Sequence, residues 1–120
     1  MNTRTYLKTN LSDLDWFRLS VDEARSDPVG LWEMVKVGRQ GFDLGGKELE
    51  MFVRDFILEM LGSGAQAVVG DKKASFGWRP LTPCPGDPNA VAESLIANWR
   101  ASKVDPNVDG VWFAFPSVFN

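Results

Sequence analysis

The chain reads as an α+β domain in which a small antiparallel sheet packs on helices, and three observations predict this. Leu49, Phe52, Val53, Phe56, Ile57 and Met60 recur at i, i+3, i+4 spacing and stop at Gly62-Ser63-Gly64, which is an amphipathic helix with a glycine end. A short apolar run around Val68-Val69 and a second run from Ala74 to Arg79 flank Asp71-Lys72-Lys73, the pattern of a β-hairpin. The late run Val111-Trp112-Phe113-Ala114-Phe115 is rich in strand formers and is halted by Pro116.

The remaining elements follow in chain order. Ser12-Asp13-Leu14-Asp15 and Ser20-Val21-Asp22-Glu23 each place an acid three residues after a hydroxyl, the capping-box spacing, and predict two short N-terminal helices or one bent one. Asp27-Pro28 predicts a helix start, because Asp caps free amides and Pro is preorganised for the first helical position; the helix runs to about Gln40, with Leu31, Trp32, Val35 and Arg39 at helical spacing. Gly41, Gly45 and Gly46 punctuate a linker to the central helix. Opposite that helix's main apolar stripe stand Met51 and Leu58, seven apart, so it is expected to be buried on two sides or to carry part of an interface. On the second hairpin strand Phe76 and Trp78 are expected to share a face. Asp87-Pro88 repeats the cap-then-proline form before a last helix with Val91, Ala92, Leu95, Ile96 and Trp99 as its buried stripe. A single domain spanning 1–120 accounts for the whole pattern.

Composition narrows the function. With no histidine and one cysteine, Cys84, the side chains that most often do chemistry near neutral pH are nearly absent, whereas five tryptophans and eight phenylalanines supply core and contact surface. Cys84 sits between two prolines without an activating neighbour and reads as an incidental thiol. No disulfide can form within the chain, no apolar run approaches the roughly 18 residues of a membrane span, and the N-terminal residues lack a secretory pattern; a cytoplasmic location is expected. Gly41 to Lys47 fits the glycine and lysine positions of a phosphate loop, but Glu48 stands where that loop needs Ser or Thr for magnesium, and a helix rather than a strand is expected before it. No catalytic, cofactor or metal-ligating residue is assigned, and the chain is not read as an enzyme.

The net charge of -3 disfavours a surface for nucleic acid, which needs clustered Lys and Arg. The acid excess is uneven: residues 1–60 hold eleven acids and eight bases, residues 61–120 five of each. Glu48, Asp55 and Glu59 project in nearly one direction from the central helix, beside Met51 and Leu58. Together with Asp13, Asp15, Asp22 and Glu23 they form the expected contact set for a basic protein partner with an apolar centre.

The run Phe52-Val53-Arg54-Asp55-Phe56-Ile57-Leu58-Glu59-Met60-Leu61-Gly62-Ser63-Gly64, followed by strand, turn and strand to Trp78, a helix ending at Trp99, and Trp112-Phe113, resembles a small bacterial family, the domain of unknown function number five hundred and ninety-six. It also looks like the small immunity proteins of contact-dependent growth inhibition. The resemblance implies a compact α+β antitoxin that covers the basic cleft of a nuclease-like toxin domain. The alternative is a structural or accessory module that self-associates through the Met51 and Leu58 side; the oligomeric state is left open.

Overall fold

The computed structural model describes residues 10–81 and 87–119. Among them the chain forms α1 (Asp13–Ala24), β1 (Val29–Gly30), α2 (Leu31–Lys36) with a π-helical turn (Val37–Gly41), α3 (Gly46–Gly62), β2 (Gln66–Gly70), β3 (Trp78–Pro80), α4 (Pro88–Ser102), β4 (Trp112–Ala114) and α5 (Pro116–Phe119). The strands join in one antiparallel sheet of order β1-β4-β2-β3. The fold is α+β.

The Ser12 signal works as spaced: its hydroxyl accepts the Asp15 N–H at 3.1 Å, and Asp15 accepts the Ser12 N–H at 3.3 Å. The second signal, at Ser20, does not start a helix, because α1 runs through it to Ala24. Once a helix is propagating, each further residue adds a hydrogen bond, so an internal cap signal is overridden.

Asp27-Pro28 is the clearest correction. No helix starts there; Val29 and Gly30 pair with Phe113 and Trp112 of β4, and α2 begins at Leu31 behind Gly30. The Leu31 N–H is tied to the Val111 carbonyl at 2.9 Å, so sheet pairing claims the backbone that the local signal would have made helical. The helix also changes winding at Val37, where Phe42 N–H bonds the Val37 carbonyl at 3.1 Å, five residues back.

The central helix α3 ends where predicted. Ser63 and Ala65 N–H groups reach back to the Glu59 and Met60 carbonyls at 3.1 Å, and Gly64 has φ of 108°, a conformation costly for any residue with a Cβ. α3 lies between α1 and α4. Its apolar stripe meets Phe17 of α1 and Phe42, with ring centroids 5.2 Å apart for Phe17–Phe52, 4.6 Å for Phe17–Phe56 and 5.0 Å for Phe42–Phe52. These tilted contacts add to the area-driven burial that dominates core stability.

The sheet presents two different faces. Val29, Phe113 and Ala67 stand in register across β1, β4 and β2, and all three are buried in the helix-facing core. The neighbouring row, Gly30, Trp112, Val68 and Pro80, points the other way, since successive strand residues alternate faces. There Val68 and Ala114 form a small separate cluster with Trp78, Trp112 and Val118. Trp32 joins Trp112 edge-on at 6.4 Å, and its buried indole N–H has no acceptor among the described residues.

The hairpin is shorter than expected on its second side. Residues 72–77 are turn, and β3 covers only Trp78–Pro80, so Phe76 shares no strand face with Trp78 and is 59% exposed. α4 follows its signal: Asp87 accepts the Asn89 N–H at 3.0 Å and Pro88 is the first helical residue. Val91, Ala92, Leu95 and Ile96 are buried; Trp99 is half-buried.

Candidate functional site

The α3 helix distributes its polar residues between two flanks. Towards α4, the Arg54 Nε lies 2.6 Å from Glu93 and the Arg100 Nη2 lies 2.5 Å from Glu50. The hydrogen bond from Arg100 holds the Glu50 carboxyl below its ordinary value, against a smaller opposing effect of burial. This flank is closed by complementary charge within the protein.

The other flank carries the predicted residues. Glu48, Asp55 and Glu59 fall within about 40° of one another around the axis. They lie between the Phe52 side, which meets Phe17 of α1, and the Met51 side. Glu48 and Asp55 are exposed, and Glu59, nearer α1, is half-buried. Met51 is 50% exposed, whereas Leu58 is half-buried and packs against the main core. The two-sided apolar helix is therefore one deep stripe plus an exposed Met51, with Leu58 drawn largely into the protein's own packing.

The four acids near the N-terminus do not form one cluster. Asp15 and Asp22, seven apart, share the outward side of α1, where Asp22 lies 3.7 Å from Arg25. Asp15 is also committed to the capping box. Asp13 Oδ1 accepts the Leu14 N–H at 2.9 Å. Glu23 stands close enough to Glu33 of α2 to act on it: the Glu33 carboxyl is raised, first by burial and then by repulsion from Glu23. Sequence reasoning passed over Glu33, whose environment depends on how α1 and α2 meet.

α1 and α3 pack side by side, and each brings four acids, against one base on α1 and two on α3. Large apolar side chains stand exposed among them: Leu14 and Leu19 on α1 as well as Met51 on α3. Sequence reasoning missed the two leucines, because only the helix–helix contact decides which side of α1 is left to solvent.

The phosphate-loop match joins the π-helical turn to α3, so helix and not strand leads directly into it. Beside it a cleft of about 230 Å³ holds Arg39 and Arg100, each already bonded to a carboxylate, Asp105 and Glu50. That geometry is a pair of internal ion pairs at a helix junction. Cys84 lies outside the described residues. Among the described residues, no helix is long and apolar enough to cross a membrane, and no group of three or more His, Cys, Asp or Glu is placed to hold a metal ion.

Compared with protein-family models, curated proteins and solved structures, the chain has no significant match.

Proposed function

We propose that this protein is a non-catalytic inhibitor of the immunity type, which binds one toxin domain, nuclease-like and basic around its cleft, through the outer sides of α1 and α3. The observation that carries the reading is Met51, half exposed on α3 and bordered by Glu48 and Asp55. An apolar anchor rimmed by carboxylates suits a basic partner: the anchor supplies affinity on desolvation, and the acids supply steering and register. A toxin acting on nucleic acid needs a positive cleft, and a net charge of -3 is too modest for phosphate mimicry alone, so the apolar anchors share the work.

Self-association through the Met51 and Leu58 side is less well supported, because Leu58 is packed against the protein's own core.

Co-expression with a candidate toxin domain from a neighbouring reading frame tests the reading. Protection of the cells together with stoichiometric co-purification is expected. Cell death in the presence of folded, abundant protein that does not co-purify overturns it.

A further inference from the structure

We propose that the sheet face turned away from the helices carries a binding site for an alkylated ammonium group, at the turn end of the β2–β3 hairpin. This site is separate from the α1–α3 surface and does not rest on the reading of that surface.

Trp78 and Trp112 are neighbours on this face, with ring centroids 5.4 Å apart and planes at 59°. The register explains the gap beside them. Val68 of β2 pairs with Trp112, but two residues on, on the same face, the residue paired with Trp78 is Gly70. A Cβ added at Gly70 would meet no atom within 4 Å. The missing side chain leaves bare backbone at the edge of an open cleft of about 380 Å³, lined by both tryptophans together with Asp71, Lys72 and Asp109.

The lining selects the ligand. The Trp112 N–H donates to the Val108 carbonyl at 2.9 Å, so its polar edge is already occupied and a ligand in the cleft has the indole ring left to meet. Indole faces are electron-rich and attract a cation, best one whose charge is spread over a weakly hydrated, partly apolar head. Asp71 is held in place, its Oδ1 accepting the Lys73 N–H at 2.9 Å and its Oδ2 standing 3.5 Å from the Arg79 Nε. Arg79 partly neutralises it, and Asp109, on the turn before β4, adds a second carboxylate. A compact, fully hydrated cation gains little from ring faces, and an anion would meet two carboxylates for one ammonium. Lys72 is the cleft's own competing cation.

The test is a titration of the full chain with choline and, separately, with its neutral isostere 3,3-dimethylbutan-1-ol, read by the indole N–H resonances of Trp78 and Trp112. Choline is expected to shift both resonances saturably and to bind about tenfold more tightly than the isostere. Gly70→Val fills the cleft from a strand position with ordinary backbone angles and is expected to abolish the shifts without lowering Tm. Asp109→Asn, an exposed turn change that leaves the fold intact, weakens choline several-fold and leaves the isostere unaffected. Lys72→Gln tightens choline. A peptide carrying Nε-trimethyl-lysine distinguishes the source of the group: tighter binding than choline identifies a protein side chain, and equal or weaker binding identifies a free small cation. Equal binding of choline and the isostere, no saturable shift with choline, or choline binding indifferent to both Gly70→Val and Asp109→Asn overturns the proposal.

Discussion

The Arg39 guanidinium holds the Asp105 carboxylate through two hydrogen bonds, Nε to Oδ2 at 2.9 Å and Nη2 to Oδ1 at 3.0 Å. The pair joins the π-helical turn after α2 to the loop after α4. The Trp99 indole N–H reaches the same Oδ1 at 3.2 Å, so one carboxylate gathers three segments. Arg39 lies at helical spacing with Leu31 and Val35, yet it serves this bridge and not the core.

Asp105 should make stability depend on acid. The hydrogen bonds from Arg39 hold its carboxyl below the ordinary value, opposed by burial and assisted by Trp99. A carboxyl depressed in the folded state binds its proton more readily when unfolded. Its contribution is therefore present above about pH 3.9, the unfolded value, and is lost as pH falls through the lower folded value. Both side chains are nearly half exposed, at 46% and 45%, so solvent screening limits the pair to about 1 kcal/mol or less. Urea unfolding of Asp105→Asn is expected to show that loss at pH 7 and to converge with the wild type in strong acid.

Phe52 is fully buried and touches the rings of Phe17, Phe42 and Phe56. Truncation to Ala removes the meeting point of α1, the α2–α3 linker and α3, and should cost about 3–5 kcal/mol. Denaturant midpoints check this; a loss below about 1 kcal/mol would be inconsistent with the packing described.

Gly38 lies where the π-helical turn crosses α3. A Cβ there would stand 2.5 Å from the Leu49 side chain and 2.9 Å from the Phe52 ring. Gly38→Ala improves local helix propensity yet should destabilise by about 1–3 kcal/mol through overpacking. A double-mutant cycle checks the steric cause: Gly38→Ala should cost less in a Leu49→Ala background than in the wild type, and an equal cost in both would contradict it.

The two Asp-Pro pairs should behave differently. Asp87 caps α4, so Asp87→Ala is expected to cost about 1 kcal/mol. Asp27 precedes an edge strand and caps nothing, so Asp27→Ala should stay within about 0.5 kcal/mol. Equal effects in thermal melts would contradict the assignment of the α2 start to Leu31.

If α1 and α3 form the contact surface, Glu48→Lys with Asp55→Lys should slow association with the toxin domain and flatten its dependence on salt, while Met51→Ala mainly speeds dissociation. Stopped-flow binding at two ionic strengths separates the effects. Unchanged rates in both variants would remove this surface from the interface.

Local signals were legible wherever the chain's own hydrogen bonding or periodicity decides the outcome. The Ser12 capping box, the α3 stripe with its end at Gly64, and the Asp87-Pro88 start of α4 all depend on residues within a turn or two of each other. Local signals misled where a distant segment claims the same backbone or side chain. Val29-Gly30 became a strand because β4 supplies the partner. Phe76 left the core because the hairpin turn extends to Gly77. The predicted acids were readable as residues and not as an arrangement, since Glu23 is turned about 100° from Asp22 around α1, and only the tertiary structure brings it near Glu33.

The amino-acid sequence by itself determined the fold class, the extent of α3 and α4, and an acid excess in the first half, because capping, periodicity and charge are properties of neighbours in the chain. Only the tertiary structure decided which apolar side chains remain outside: Leu58 was drawn inward while Leu14, Leu19 and Met51 stayed exposed. It also decided that Trp78 and Trp112 line a cleft and not the main core. Those outcomes follow from strand register and helix contact, which bring together residues tens of positions apart and leave a space where β2 has a glycine.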